Sequence, residues 1–216
     1  MRLGRISAKA LDPSTREEIL NVAQKVFADV GFKEATIRQI CKAAKANVCL
    51  VSYYFGGKDG LYKAIFERVG QIRADLSQNF IKKDPLPETA EAYREKLGVF
   101  LEHMFNEIAS RPDFCKLMNR EISDGMPRAG EVIKKYIGQA KGAFSEFIAY
   151  GQKKKFINAQ LSPDMVAMSA INMFLGFTNQ MNNQVGFFFH DLNSTDEIKE
   201  AIKKTVTTIF FDGVFK

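Results

Sequence analysis

At 216 residues, with 46% hydrophobic and 26% charged side chains, the chain is long enough for one large or two small domains with a buried core, and its composition excludes intrinsic disorder. Formal net charge is +6, and residues 1–60 hold 10 Lys and Arg against 6 Asp and Glu, so the basic excess is concentrated there; it suits nucleic acid but is also ordinary for a soluble protein. Three cysteines (Cys41, Cys49 and Cys115) without a Cys-x-x-Cys pair, and two isolated histidines (His103 and His190), argue against a disulfide framework, a metal site, a bound cofactor and a histidine-based catalytic centre.

The first ten residues lack the continuous apolar run of a signal peptide, and no later stretch is apolar for long enough to span a bilayer. The expected location is the cytoplasm, with no membrane partner. Arg2, Arg5 and Lys9 make residues 1–12 either a basic arm that follows the DNA backbone or enters its minor groove, or a plain disordered tail. Ser14 with Glu17 forms a capping box just after Pro13, and Ile19, Leu20, Ala23, Phe27 and Val30 give a first helix ended by Gly31. Thr36 with Gln39 forms a second capping box. It opens a helix with Ile37, Ile40, Cys41 and Ala44 on its inner face and Arg38, Gln39, Lys42 and Lys45 outside.

Asn47 caps a third helix through Tyr53 or Tyr54, expected to bury Val51 and Phe55 and to show Val48, Leu50, Ser52 and Tyr53 outward. Two short helices with almost nothing between them read as a helix-turn-helix. An outward face of valine, leucine and tyrosine suits a DNA major groove, where apolar groups meet thymine methyls and hydroxyls reach base edges. Such a pair also occurs as a purely structural part of all-α cores. Cys49, on this face, is a candidate for oxidation, although nothing in the sequence lowers its pKa.

Arg16, Ile19, Leu20, Ala23, Phe27, Gly31, Phe32, Thr36, Ile37, Arg38, Ile40 and Ala44, continued by the unbroken run from Tyr53 to Leu61, resemble the amino-terminal signature of TetR-family transcriptional regulators. The resemblance covers roughly residues 14–62. Two positions depart from it: Lys45 stands in the turn where the family usually has glycine, and Cys49 where a small residue is common. The resemblance implies a DNA-binding set of Thr36, Arg38, Asn47, Val48, Leu50, Ser52, Tyr53, Tyr54 and Lys58, with Lys58 near a phosphate that the first-turn amides of the fourth helix help to hold.

That fourth helix starts at Lys58 and carries Leu61, Ile65, Val69, Ile72, Leu76 and Phe80, until Pro85 and Pro87 turn the chain. A fifth bears Tyr93, Leu97, Phe100, Leu101, Met104, Phe105 and Ile108; a sixth bears Phe114, Leu117, Met118 and Ile122. The seventh, with Ile133, Tyr136, Ile137, Ala140, Phe144, Phe147 and Ile148, closes in Lys153, Lys154 and Lys155 at the negative end of its dipole. Ser162 and Pro163 open an eighth with Val166, Ala167, Ala170, Phe174, Phe177 and Met181. After a loop holding the phenylalanines at 187–189, Ser194 and Glu197 cap a last helix with Ile198, Ile202, Val206, Ile209 and Phe210.

The sequence thus predicts an all-α chain: an amino-terminal three-helix helix-turn-helix domain (1–58, with the arm at 1–12) followed by a larger helical ligand-binding and dimerisation domain (59–216). Residues 61–216 contain 16 of the 19 Phe and 7 of the 8 Met, which give either an adaptable apolar lining or simply packed core. The expected effector site is Phe100, His103, Met104, Met118, Phe144, Phe147, Phe174 and Phe177, with His103, Asn119, Asn172 and Gln180 as polar groups. The family resemblance implies that the last two helices pair with their twofold copies, placing Val166, Ala170, Ile202 and Val206 at a homodimer interface; alternatively they complete the monomer core. The expected partners are operator double-stranded DNA, a small apolar or aromatic effector and a second copy of the chain, with repression favoured over activation. Competing readings are an all-α enzyme or small-molecule carrier with a structural helix-turn-helix, and a module whose recognition face meets protein. The absence of any recognisable catalytic constellation weighs against the enzyme.

Overall fold

A computed structural model describes residues 12–82, 85–182 and 194–214. The basic arm with Arg2, Arg5 and Lys9, the phenylalanines at 187–189 and His190 lie outside the described residues, as do the side chains of Ile137 and Ala140. Among the described residues the regular elements are all α-helices: α1 (Pro13–Glu34), α2 (Ile37–Ala43), α3 (Val48–Phe55), α4 (Lys58–Lys82), α5 (Ala90–Ala109), α6 (Pro112–Ser123), α7 (Gly130–Lys153), α8 (Pro163–Asn182) and α9 (Thr195–Val214). None is long and apolar enough to cross a membrane. The chain forms two compact units, one of residues up to Gln71 with Lys116–Lys135, the other of Ile72–Cys115 with the residues from Tyr136 onward. These units do not follow a single cut at residue 58, because α4, α6 and α7 each contribute to both.

In the first unit α1 begins two residues earlier than its sequence suggests. Asp12, not Ser14, is the cap: its Oδ1 accepts from the Ser14 amide at 3.0 Å, and Pro13 takes the first helical position, where its missing N–H is least needed. Glu17 is thereby free to accept from Arg68 of α4 at 3.2 Å, and the same guanidinium reaches Asn21 and Gln24. Ile19, Leu20, Ala23 and Phe27 are fully buried, whereas Val30, expected on the same stripe, is 46% exposed. Just beyond Val30 the helix is interrupted at Gly31, with φ 82° and ψ 170°.

The expected capping box of α2 forms in both directions between Thr36 and Gln39. Between α2 and α3, the Ala46 amide bonds Cys41 O at 2.9 Å and the Lys45 amide bonds Lys42 O at 3.3 Å. This pair of bonds is a Schellman closure, which puts Lys45 in the left-handed region at φ 50°, at a cost of about 1 kcal/mol for a residue with a Cβ. Beyond α3, Gly60 allows α4 to start against the end of the preceding helix, since a Cβ there would lie 1.7 Å from Phe55 O.

The same unit contains a buried polar knot invisible in the hydrophobic pattern. Glu121, 2% exposed, accepts from the Arg128 and Ala129 amides at 3.3 and 3.1 Å, capping the start of α7. Its inward position leaves Ile122, expected in the core, 53% exposed. Arg120 donates to Phe27 O at 3.1 Å and Asp29 O at 3.4 Å, satisfying carbonyls near the carboxyl end of α1.

In the second unit, aromatic side chains dominate. Phe100 and Phe144 lie 4.7 Å apart, Phe105 and Phe174 5.3 Å, and Phe80 and Phe100 5.4 Å. Tyr93 stacks on Phe147 at 4.5 Å and donates to the Phe147 carbonyl at 2.9 Å, tying α5 to α7. Glu107 pairs with both Arg73 and Arg111 at 2.7 and 2.8 Å. Leu76, expected inside, is 44% exposed, because Ala74 and Ser77 hold the inner face of that turn.

Candidate nucleic-acid interface and effector core

The geometry of α3 follows from its step of about 100° per residue. Starting at Val48, the side chains Val48, Ser52, Cys49 and Tyr53 fall in that order within one arc of about 140°, and Leu50, Tyr54, Val51 and Phe55 fill the remainder. Burial follows this wheel. Tyr53 is 61% and Val48 44% exposed, with Cys49 and Ser52 also open, whereas Leu50 and Val51 are 2% and 0% exposed. Leu50 is therefore a core residue. Its expected place on the outward face is corrected, since it lies about 200° round the helix from Val48.

Asn47 caps α3, its side chain accepting from the Cys49 amide at 2.9 Å. Tyr54 is half-buried, and its ring meets that of Tyr53 at 5.2 Å, edge to face. Thr36 is engaged in its capping box, and Arg38 stands exposed on α2. Lys58 is half-buried: its Nζ donates to Lys33 O at 3.2 Å and lies 4.6 Å from the ring centre of Phe32. On that same ring Arg128 sits at 4.2 Å.

The expected effector set is only partly brought together. Phe100, Phe144, Phe147 and Phe174 share the core of the second unit, with Met104 and Phe177 packed against it. Met118 is buried but belongs to the first unit, outside this cluster. His103 and Asn172 are exposed; His103 follows Phe100 and Leu101 round the helix onto the outer face, so neither can orient a molecule inside. Among the buried polar groups of the second unit that hydrophobic pattern reading passes over is Thr178 of α8. It is fully buried, four residues beyond Phe174, and its hydroxyl has no hydrogen-bond partner among the described residues.

The four residues expected at a dimer interface are 7% (Val166), 0% (Ala170), 3% (Ile202) and 0% (Val206) exposed within the single chain. They join the chain's own core cluster. That assignment is corrected, since α8 and α9 turn these faces toward each other and α5. The two helices expose Met165 (65%) and Ile209 (55%) instead, with Ser169, Asn172, Gly176, Thr205 and Thr208.

A capped helix pair joined by the four residues 44–47, with an open apolar and hydroxyl arc on its second helix, defines a helix-turn-helix regulator. The profile of the bacterial regulatory proteins, tetR family, matches residues 19–65. The regulator BetI of Stenotrophomonas maltophilia is 31% identical over 186 residues, covering 66% of this chain and 93% of BetI. The transcriptional repressor NicS of Pseudomonas putida is 30% identical over 143 residues, and the match spans 65% of this chain but only 64% of NicS. Among solved structures, the hemolysin II regulator HlyIIR superposes with a TM-score of 0.64 at 25% identity, covering 94% of this chain and 98% of that one. The fatty acid degradation regulator FadR of Bacillus halodurans shares the fold, with a TM-score of 0.71 at 16% identity over 91% of this chain and 98% of its own. The chain belongs to the TetR family of bacterial transcriptional regulators, a family of regulators rather than enzymes.

Proposed function

We propose that this chain is a cytoplasmic repressor that binds a palindromic operator as a homodimer and leaves it when a small apolar or aromatic effector occupies the core of the second unit. The observation that carries this reading is the open arc of α3, where Tyr53 and Val48 are exposed at 61% and 44% for no benefit in water. Arg38, Lys42 and Lys45 lie exposed on α2 and its turn, suited to the phosphates that flank a groove. Lys58 gives one of its three ammonium donors to Lys33 O; two remain for a phosphate near the start of α4.

A twofold dimer would set two copies of α3 about one DNA turn, roughly 34 Å, apart. The outward residues of α8 and α9, centred on Met165 and Ile209, are the surface proposed for that pairing. For the effector, support comes from the aromatic cluster around Phe100, Phe144 and Phe174 with Met104, a type of lining that repacks readily. The Thr178 hydroxyl offers that effector one hydrogen bond, since a buried polar group without a partner is destabilising until one arrives. An effector that binds better to a conformation with a different spacing of the two α3 copies lowers operator affinity by population shift. Selection of bound sequences from a random DNA pool tests the reading. It should return an inverted repeat; recovery of no preferred sequence would defeat it.

A further inference from the structure

The outward arc of α3 offers nothing that makes the usual bidentate contacts with bases. Arginine or lysine reads guanine, and asparagine or glutamine reads adenine with one donor and one acceptor, yet the arc consists of Val48, Ser52, Cys49 and Tyr53. The neighbouring amides are already half-used. The Asn47 carbonyl accepts from the Cys49 amide at 2.9 Å, and the Gln39 carbonyl accepts from the Thr36 amide and hydroxyl, both at 2.9 Å. The Gln39 carbonyl thus has both lone pairs occupied, and the Asn47 carbonyl, with one lone pair left, is held to the first turn of α3. Arg38 and Lys42 lie on α2, the helix that crosses the phosphate backbone in such pairs.

We infer that this regulator identifies its operator chiefly through thymine methyl groups, met by Val48 and by the ring of Tyr53, with the Ser52 hydroxyl as the polar contact between them. The inference rests on the DNA reading proposed above and specifies its chemistry. Tyr53 is suited to the part because Tyr54 braces its ring edge to face, so an apolar surface is presented in a fixed place. Val48 is suited because a branched side chain at the first helical turn has little rotamer freedom to lose. The operator half-sites are accordingly rich in A·T pairs, with thymines at the positions under α3.

Replacing thymines of the selected operator one at a time by deoxyuridine removes the methyl and leaves every hydrogen-bonding group in place. Each methyl lost beneath α3 should weaken binding roughly fourfold, the factor expected for one buried carbon group, at two or more positions in each half-site. In the Val48→Ala protein, whose altered side chain is on the surface, the loss at the position under residue 48 should disappear. Operators that bind within 1.5-fold of the parent at every deoxyuridine, or losses of equal size in Val48→Ala and the parent protein, would overturn the inference while leaving DNA recognition intact. A random pool that enriches no sequence would instead overturn the DNA reading on which it rests.

Discussion

Leu50 and Tyr53, three residues apart on one short helix, separate stability from recognition. Leu50 is closed in the first unit's core and Tyr53 is open, so Leu50→Ala should lower unfolding free energy by about 2–5 kcal/mol and Tyr53→Ala by less than about 0.5 kcal/mol. Thermal melting of the two variants checks this; similar losses would place both side chains in the core. A second residue-scale consequence concerns Tyr62, whose hydroxyl is pushed well above its ordinary pKa first by burial and then by the Glu121 carboxylate and the hydrogen bond to it. A phenol whose folded pKa is raised contributes stability that is complete below its unfolded value, near 10, and is lost as pH rises past it. Tyr93 is shifted in the same direction, mainly by burial. Melting temperature should therefore fall steeply above about pH 10, and less steeply in Tyr62→Phe. A parent and variant with the same alkaline profile would contradict the link.

At the scale of the element, helices were legible wherever their apolar face was narrow. In α2 the inward positions Ile40 and Cys41 and the Thr36 cap can be read directly, because a helix with few apolar residues has only one way to bury them. Broad faces gave the right helices but the wrong rotation. α9 carries Ile209 and Phe210 in succession, and only one of two neighbours can face inward: Phe210 is 4% exposed and Ile209 55%. The same competition leaves Ile122 outside next to Glu121. Hydrophobicity alone cannot announce a buried carboxylate whose partners are amides seven and eight residues away. Leu50 escapes the pattern for another reason, since every residue of α3 except Ser52 is apolar or aromatic and the helix has no single face to bury. The junction of α3 and α4 gives a direct test of how elements fix the site. Gly60→Ala puts a carbon 1.7 Å from Phe55 O, so the end of α3 must shift. Operator affinity should fall by at least tenfold together with stability, as overpacking costs about 1–3 kcal/mol. Unchanged operator binding would show that α3 is positioned without α4.

For the molecule as a whole, the burial of Val166, Ala170, Ile202 and Val206 within one chain moves the dimer question to the outer surface of α8 and α9. Ile209→Glu and Met165→Glu place charges on surface positions of the monomer, so each variant should stay folded yet sediment as a monomer, whereas Ala170→Asp should unfold the chain by burying an unpaired charge. Sedimentation with circular dichroism checks all three; a dimer undisturbed in both surface variants would exclude this face. Dimerisation matters because palindromic recognition needs two α3 helices at once. That the open arc of α3 reads sequence is tested most directly by binding isotherms of the parent and Tyr53→Ala on the selected operator and on a scrambled duplex, at several salt concentrations. Affinity of Tyr53→Ala for the operator should drop at least tenfold, with scrambled-duplex binding and the salt slope unchanged, since phosphate contacts are untouched. Equal operator affinity in the two proteins would contradict it.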